Sequence, residues 1–189
     1  QDVIDADALI IRTRTKCSAE FLSGTAVKII STATIGTDHI DLDYCRENNI
    51  TVANAAGCNA GGVMDYVFSA LYGTASRKAM KLEGDTFGII GVGNVGRRVA
   101  SMAEYLGFKV LKNDPPREAA EGPDEFCPLE YLLRNSDIVT MHTPLNDTTK
   151  DMADSNFFSL MKPGAFFINA SRGEVMVDEA LIEALPKLG

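Results

Sequence analysis

The stretch TFGIIGVGNVGRR, residues 86–98, constrains this chain more than any other. An apolar run of strand character breaks into Gly91, Gly93 and Gly96 and resumes with helical spacing, the G-x-G-x-x-G arrangement between a parallel strand and its following helix. Gly91 allows a tight turn, Gly93 lets a pyrophosphate approach the backbone, and Gly96 lets the helix pack on the strand, with Asn94 and Val95 completing the turn. The helix N-terminus adds unpaired N–H groups and partial positive charge where that anion would lie. Three glycines can also make a tight strand-to-helix turn and nothing more. What separates the readings is an acidic residue at the end of the next strand, and Asp114 stands there, 18 residues after Gly96 (114 − 96). Its carboxylate would accept hydrogen bonds from the ribose hydroxyls of NAD and repel the phosphate of NADP, although Lys112 and Arg117 beside it leave that choice open.

Around this turn, short apolar runs alternate with helical patterns, the sign of βαβ units and a parallel sheet. Residues 8–13, 27–34 and 50–54 read as strands, with helices over 18–24 and 41–48. A Gly-rich turn, NAAGCNAGG at 54–62, leads into a long amphipathic helix over 63–80. Strands follow at 86–92, 109–114, 137–143 and 165–171, separated by helical patterns or by Pro/Gly-rich loops such as DPPREAAEGPDE. The expected fold is α/β: a doubly wound parallel sheet of the Rossmann type over 59–189, with part of a second, flavodoxin-like domain over 1–58.

Composition narrows the partners. A net charge of −8 disfavours nucleic acid or an anionic membrane as the main partner, and no apolar run approaches the roughly 18 residues that span a bilayer. An anionic small molecule must then be held by a local basic cluster. Cys17, Cys45, Cys58 and Cys127 are scattered, with no metal-like spacing to His39 or His142, and read as reduced thiols of a soluble cytoplasmic protein.

Ligands of open parallel sheets bind beyond the carboxyl ends of the strands. There, FFINASRGE places Ala170, Ser171 and Arg172 after the last strand, with Gly173 to turn the chain away. A guanidinium at that point suits a carboxylate or a developing oxyanion, the alternative being an arginine that reaches into solvent. MHTPL places His142 and Thr143 after the preceding strand; a structural role for His142 outweighs catalysis. In the first part, Arg12, Arg14 and Lys16 fall on one side of an extended segment and Thr13 and Thr15 on the other, either an anion site or a solvated edge. Thr32, Thr34, Thr37 and Gly36 offer a second set of donors, while Asp38 and Asp41 read as caps of the next helix.

TATIGTDHID, NAAGCNAGGVMDYVFS, GVGNVGRR, NDPP, HTPL and INASRG, in this order, resemble the D-2-hydroxyacid dehydrogenase family over nearly the whole chain. GTDHID, GCNA and DPP narrow the resemblance to its branch acting on 4-phosphoerythronate. The resemblance implies oxidation of that small phosphorylated hydroxy acid at C2 with NAD as hydride acceptor, an early step of pyridoxal phosphate synthesis, by a homodimer of two-domain subunits. It assigns Arg172 to the substrate carboxylate or nascent keto oxygen, Thr13 and Thr34 to substrate, and Asp114, Thr143 and Ala170 to Arg172 to the cofactor. It also puts the acid/base histidine and its glutamate downstream of SRG, so the chain reads as part of a longer enzyme, with a sheet edge exposed where further strands would lie. The competing readings are a sister enzyme acting on glycerate, lactate, phosphoglycerate or hydroxypyruvate, and a non-catalytic NAD-sensing corepressor of the same fold.

Overall fold

Strand β6, Ile138–Met141, shows how the larger sheet is built: all four of its side chains are buried. Ile138 points into one apolar cluster and Val139 and Met141 into another, so the strand is covered on both faces. The computed structural model describes residues 3–188, and the chain divides into two compact units, Gln1–Asn59 and Ala60–Gly189.

The second unit carries four parallel strands: β4 (Thr86–Ile90), β5 (Lys109–Asn113), β6 and β7 (Phe166–Asn169), in the order β5-β4-β6-β7. Helices α3 (Ala60–Arg77) and α4 (Gly96–Tyr105) pack Val67, Phe68, Leu71, Val99 and Ala103 against Phe87 and Ile89 on one face. Helices α6 (Leu129–Asn135), α7 (Ser155–Leu160) and α8 (Asp178–Ala184) cover the other face through Leu132, Leu133, Phe157, Phe158 and Ala180. This is the doubly wound α/β arrangement the sequence pattern implies. On the outer side of β5 the chain returns once: the Cys127 N–H donates to the Lys112 carbonyl at 2.9 Å and the Asn113 side-chain amide donates to the Cys127 carbonyl at 2.8 Å.

The first unit carries β1 (Ala8–Ile11), β2 (Ile29–Thr32) and β3 (Thr51–Asn54), parallel and in that order, with α1 (Ala19–Leu22) and α2 (Leu42–Glu47). Leu9, Ile11 and Ile30 join Leu22, Val27, Ile40, Cys45 and Ile50 in its core. Asp41 caps α2 by accepting from the Tyr44 N–H at 2.9 Å, the role its position predicts. Cys17 and Cys45 are buried and unbridged, and burial pushes both thiols up, away from reactivity.

Three local expectations are corrected. Strand β1 stops at Ile11, and the Thr15 N–H closes a turn on the Arg12 carbonyl at 3.1 Å, so Arg12, Arg14 and Lys16 do not share one side of an extended segment. Helix α3 begins at Ala60 and absorbs Gly61 and Gly62, which the sequence placed in the preceding turn. The segment read as a Pro-rich loop holds helix α5, Pro115–Glu121, because Asp114 caps it and proline in the first turn gives up no donor the helix needs. Among the described residues no helix is long and apolar enough to cross a membrane.

Candidate functional site

Register fixes the site in the second unit. Asn113, Ile90, Met141 and Asn169 lie side by side across the four strands, so Asp114, Gly91, His142 and Ala170 start the four loops at one edge. Gly91 has a φ of +83°, and a Cβ there would come within 2.8 Å of the His142 backbone, so glycine is needed both for the turn and for the contact between loops. A Cβ on Gly96 would collide with the Gly91 carbonyl, which is the close helix packing expected of the third glycine. Gly93 differs from both: nothing lies within 4 Å of a Cβ built on it. Backbone in this turn therefore faces open space. Asn94 is exposed and Val95 half-buried, packed against the core behind the turn.

Asp114 is anchored twice. One carboxylate oxygen accepts from the Val92 N–H at 2.7 Å and the other from the Arg117 N–H at 3.2 Å, which ties the Gly-rich turn to α5. Each oxygen keeps a lone pair for a further donor. Beside it a cavity of about 380 Å³ is lined by Gly91, Asp114, Pro115, Thr143, Pro144 and Met152, among others.

Two buried hydroxyls at this edge, Thr143 Oγ1 and Ser171 Oγ, have no hydrogen-bond partner among the described residues. Buried polar groups are almost always satisfied, so each is a ready contact for a ligand. Ala170 starts the loop at the end of the row, directly before Ser171, and packs against the core. Asn169 shapes the last loop: its Oδ1 accepts from the Ser171 N–H and its amide donates to the Arg172 carbonyl, both at 2.9 Å. Arg172 follows, exposed, immediately before a 3-10 turn over Gly173–Val175. His142 donates or accepts through Nε2 with the Thr140 hydroxyl at 3.1 Å, and burial pushes its pKa down to about 4. It is neutral at physiological pH and bonds the strand it follows through one nitrogen only; its buried Nδ1 has no hydrogen-bond partner among the described residues.

In the first unit Arg12 and Thr13 lie in the turn after β1, and Thr34 lies in the loop after the neighbouring β2, at the carboxyl end of the same sheet. Arg12 and Thr13 are exposed. The Thr34 hydroxyl is within 2.6 Å of Thr32 Oγ1 and donates to the Gly36 carbonyl at 2.9 Å; Thr32 Oγ1 in turn meets His39 Nε2 at 3.2 Å.

Sequence reasoning missed the loop 144–149, which contributes Asn146, Thr148 and Thr149 to the cavity. Asn146 Oδ1 accepts from the Thr148 and Thr149 N–H groups, and the Thr149 hydroxyl donates to the Pro144 carbonyl at 2.6 Å. The signal was present: an Asn followed closely by two threonines forms such side-chain-to-backbone turns.

Residues 65–188 match the model of the D-isomer specific 2-hydroxyacid dehydrogenase, NAD binding domain. The erythronate-4-phosphate dehydrogenase of Bacteroides fragilis is 51% identical over 97% of this chain and 54% of its own length. The chain thus spans about half the length of the curated relatives it matches. Among solved structures, the D-lactate dehydrogenase of Aquifex aeolicus, complexed with NAD and lactic acid, superposes with a TM-score of 0.83 at 28% identity, covering 99% of this chain and 63% of that one. The NAD-bound 3-phosphoglycerate dehydrogenase of Entamoeba histolytica gives 0.84 at 29% identity, covering 99% and 64%.

Proposed function

The chain belongs to the D-isomer specific 2-hydroxyacid dehydrogenase family, and from that premise we propose that it binds NAD and serves the oxidation of 4-phosphoerythronate to its 2-oxo acid, a step towards pyridoxal phosphate. One observation supports the cofactor assignment above the rest. The open space over Gly93 lies in the same row of loops as the two orphaned hydroxyls of Thr143 and Ser171 and the anchored carboxylate of Asp114. These groups fit a dinucleotide: N–H groups of the Gly91–Gly96 turn for the pyrophosphate, Asp114 for the adenosine ribose, and Thr143, Ala170 and Ser171 beyond it. NAD, when bound, supplies the hydride acceptor.

The chain's own residues supply binding and charge. In this reading Arg172 holds the substrate carboxylate, or the oxygen that gains negative character as C2 is oxidised, with Asn169 fixing its loop from behind. Thr13 and Thr34 take the substrate's hydroxyl and carboxylate oxygens, and Arg12 its phosphate. The substrate rests on the relatives, which carry the name erythronate-4-phosphate dehydrogenase. A cytoplasmic homodimer is part of the same proposal.

The test is the rate of NADH formation by the whole protein with 4-phosphoerythronate, 3-phosphoglycerate, glycerate and lactate. The expected result is the highest kcat/KM for 4-phosphoerythronate; a sister substrate in first place would overturn the assignment. Arg172→Lys, which keeps the charge and loses the planar fork, is expected to lower turnover with NAD affinity nearly unchanged.

A further inference from the structure

Helix α5 follows its dipole with Asp114 at the cap and Glu118 in the first turn, but one pair of charges runs against it: Arg117 in the first turn and Glu121 in the last. Their i,i+4 order is also the less favourable one, and the two side chains are 34% and 50% exposed, where an ion pair contributes little. Stabilising the helix does not account for the pair. What it does is immobilise a guanidinium at the rim of the Gly-rich turn. Arg117 Nε and Nη2 donate to the two Glu121 carboxylate oxygens at 2.8 and 2.6 Å, and Nη1 donates to the Val92 carbonyl at 2.6 Å. The guanidinium carbon lies 5.7 Å from the centre of the Phe126 ring. A second arginine is close: Arg97 Nη2 donates to Asn94 Oδ1 at 2.6 Å. Arg117 first, and Arg97 in addition, hold the Glu121 carboxyl below its ordinary range.

An arginine beside Asp114, with a second near Glu121, is the wrong company for a site that refuses a phosphate on the adenosine ribose. A guanidinium at this place is what receives that phosphate in NADP-binding sheets. Asp114 is a weakened sentry, since both its oxygens already accept backbone N–H groups and the Arg117 charge lies against it. We propose that Glu121 is a specificity-determining residue, which favours the unphosphorylated ribose by occupying the bidentate edge of the Arg117 guanidinium that would otherwise receive a 2′-phosphate. The inference rests on the dinucleotide reading above. With its Nε/Nη2 edge committed to Glu121 and one Nη1 proton to the Val92 carbonyl, Arg117 has three of its five N–H groups taken and that edge closed to a phosphate, and the Glu121 charge repels one.

The experiment is a fluorescence titration of the whole protein with NADH and with NADPH, for the wild type, Glu121→Gln, and Glu121→Gln combined with Arg117→Gln. Glutamine keeps the side-chain length and removes the charge. The NADPH:NADH affinity ratio is expected to rise about tenfold in the single variant, the scale of one charge-assisted contact, and to fall back in the double variant. An unchanged ratio in Glu121→Gln, with NADH still bound, overturns the role of Glu121 and leaves the cofactor assignment standing. A gain that persists in the double variant overturns Arg117 as the receiver. A wild-type whole protein that binds neither nucleotide overturns the cofactor assignment and this inference together.

Discussion

The two sheets start from similar sequence and end in different surroundings. ALII in β1 and IVTM in β6 are both short apolar runs, yet β1 alternates exposed and buried while β6 is buried throughout. Leu9 is 9% exposed and its neighbour Ile10 is 85% exposed. The second sheet has helices on both faces, so its inner strand β6 buries every side chain, Thr140 included; the first is covered on one face, and Ile10 and Ile29 are exposed on the other among the described residues. An apolar run therefore reports strand character, and only the helices around it decide how much burial it yields.

This contrast can be broken or sharpened by substitution, read residue by residue in hydrogen exchange so that each unit reports on itself. The largest effect is expected from Met141→Ala, which leaves a cavity among Val139, Phe158 and their neighbours: a loss of about 4 kcal/mol in the second unit. A loss below about 1 kcal/mol would mean that this face of β6 is not tightly packed.

Next comes pH. The folded pKa of His142 is about 4, below the ordinary imidazole value, so the unfolded chain takes up a proton first as pH falls. Stability from this group is whole above about pH 6.5 and declines as pH drops to 4, by up to about 3 kcal/mol. His142→Gln is expected to flatten that part of the stability profile; an unchanged profile would assign the dependence elsewhere.

Smaller effects belong to the first unit. Thr32→Val removes the hydroxyl between Thr34 and His39 and is expected to cost about 1 kcal/mol there. The smallest is Ile10→Lys, within about 0.5 kcal/mol, with less self-association in light scattering. A cost above about 2 kcal/mol for Ile10→Lys would show that this face is covered in solution.

The second unit was legible because its signals agree with one another. Glycine at 91 and 96 is demanded by backbone collisions, and that demand is visible as G-x-G-x-x-G before any coordinates exist. Asp114 was legible in part. The sequence located it at the strand end, but its two backbone bonds to Val92 and Arg117 depend on α5. That helix was hidden because consecutive prolines read as a loop unless the preceding Asp is weighed as a cap. The first unit was read less well. Alternation through IIRTRTK extended β1 by two residues, since periodicity alone carries no information about the hydrogen bond from Thr15 to Arg12 that bends the chain away. The cavity wall at 144–149 escaped for the same reason: its shape is set by side-chain-to-backbone bonds, not by any hydrophobic period.

The single return of the chain along β5 sets where this fold can change length. Cys127 donates its N–H to the Lys112 carbonyl and accepts from the Asn113 amide, which fastens the returning chain to the outer edge of β5. Pro123, Asp124 and Glu125, just before it, are exposed. Residues inserted between Gly122 and Glu125 need only bring the chain back to that fastening; the four strand ends, and the loops that grow from them, would keep their places. Evolution and protein engineering alike have room to write here without disturbing the crevice.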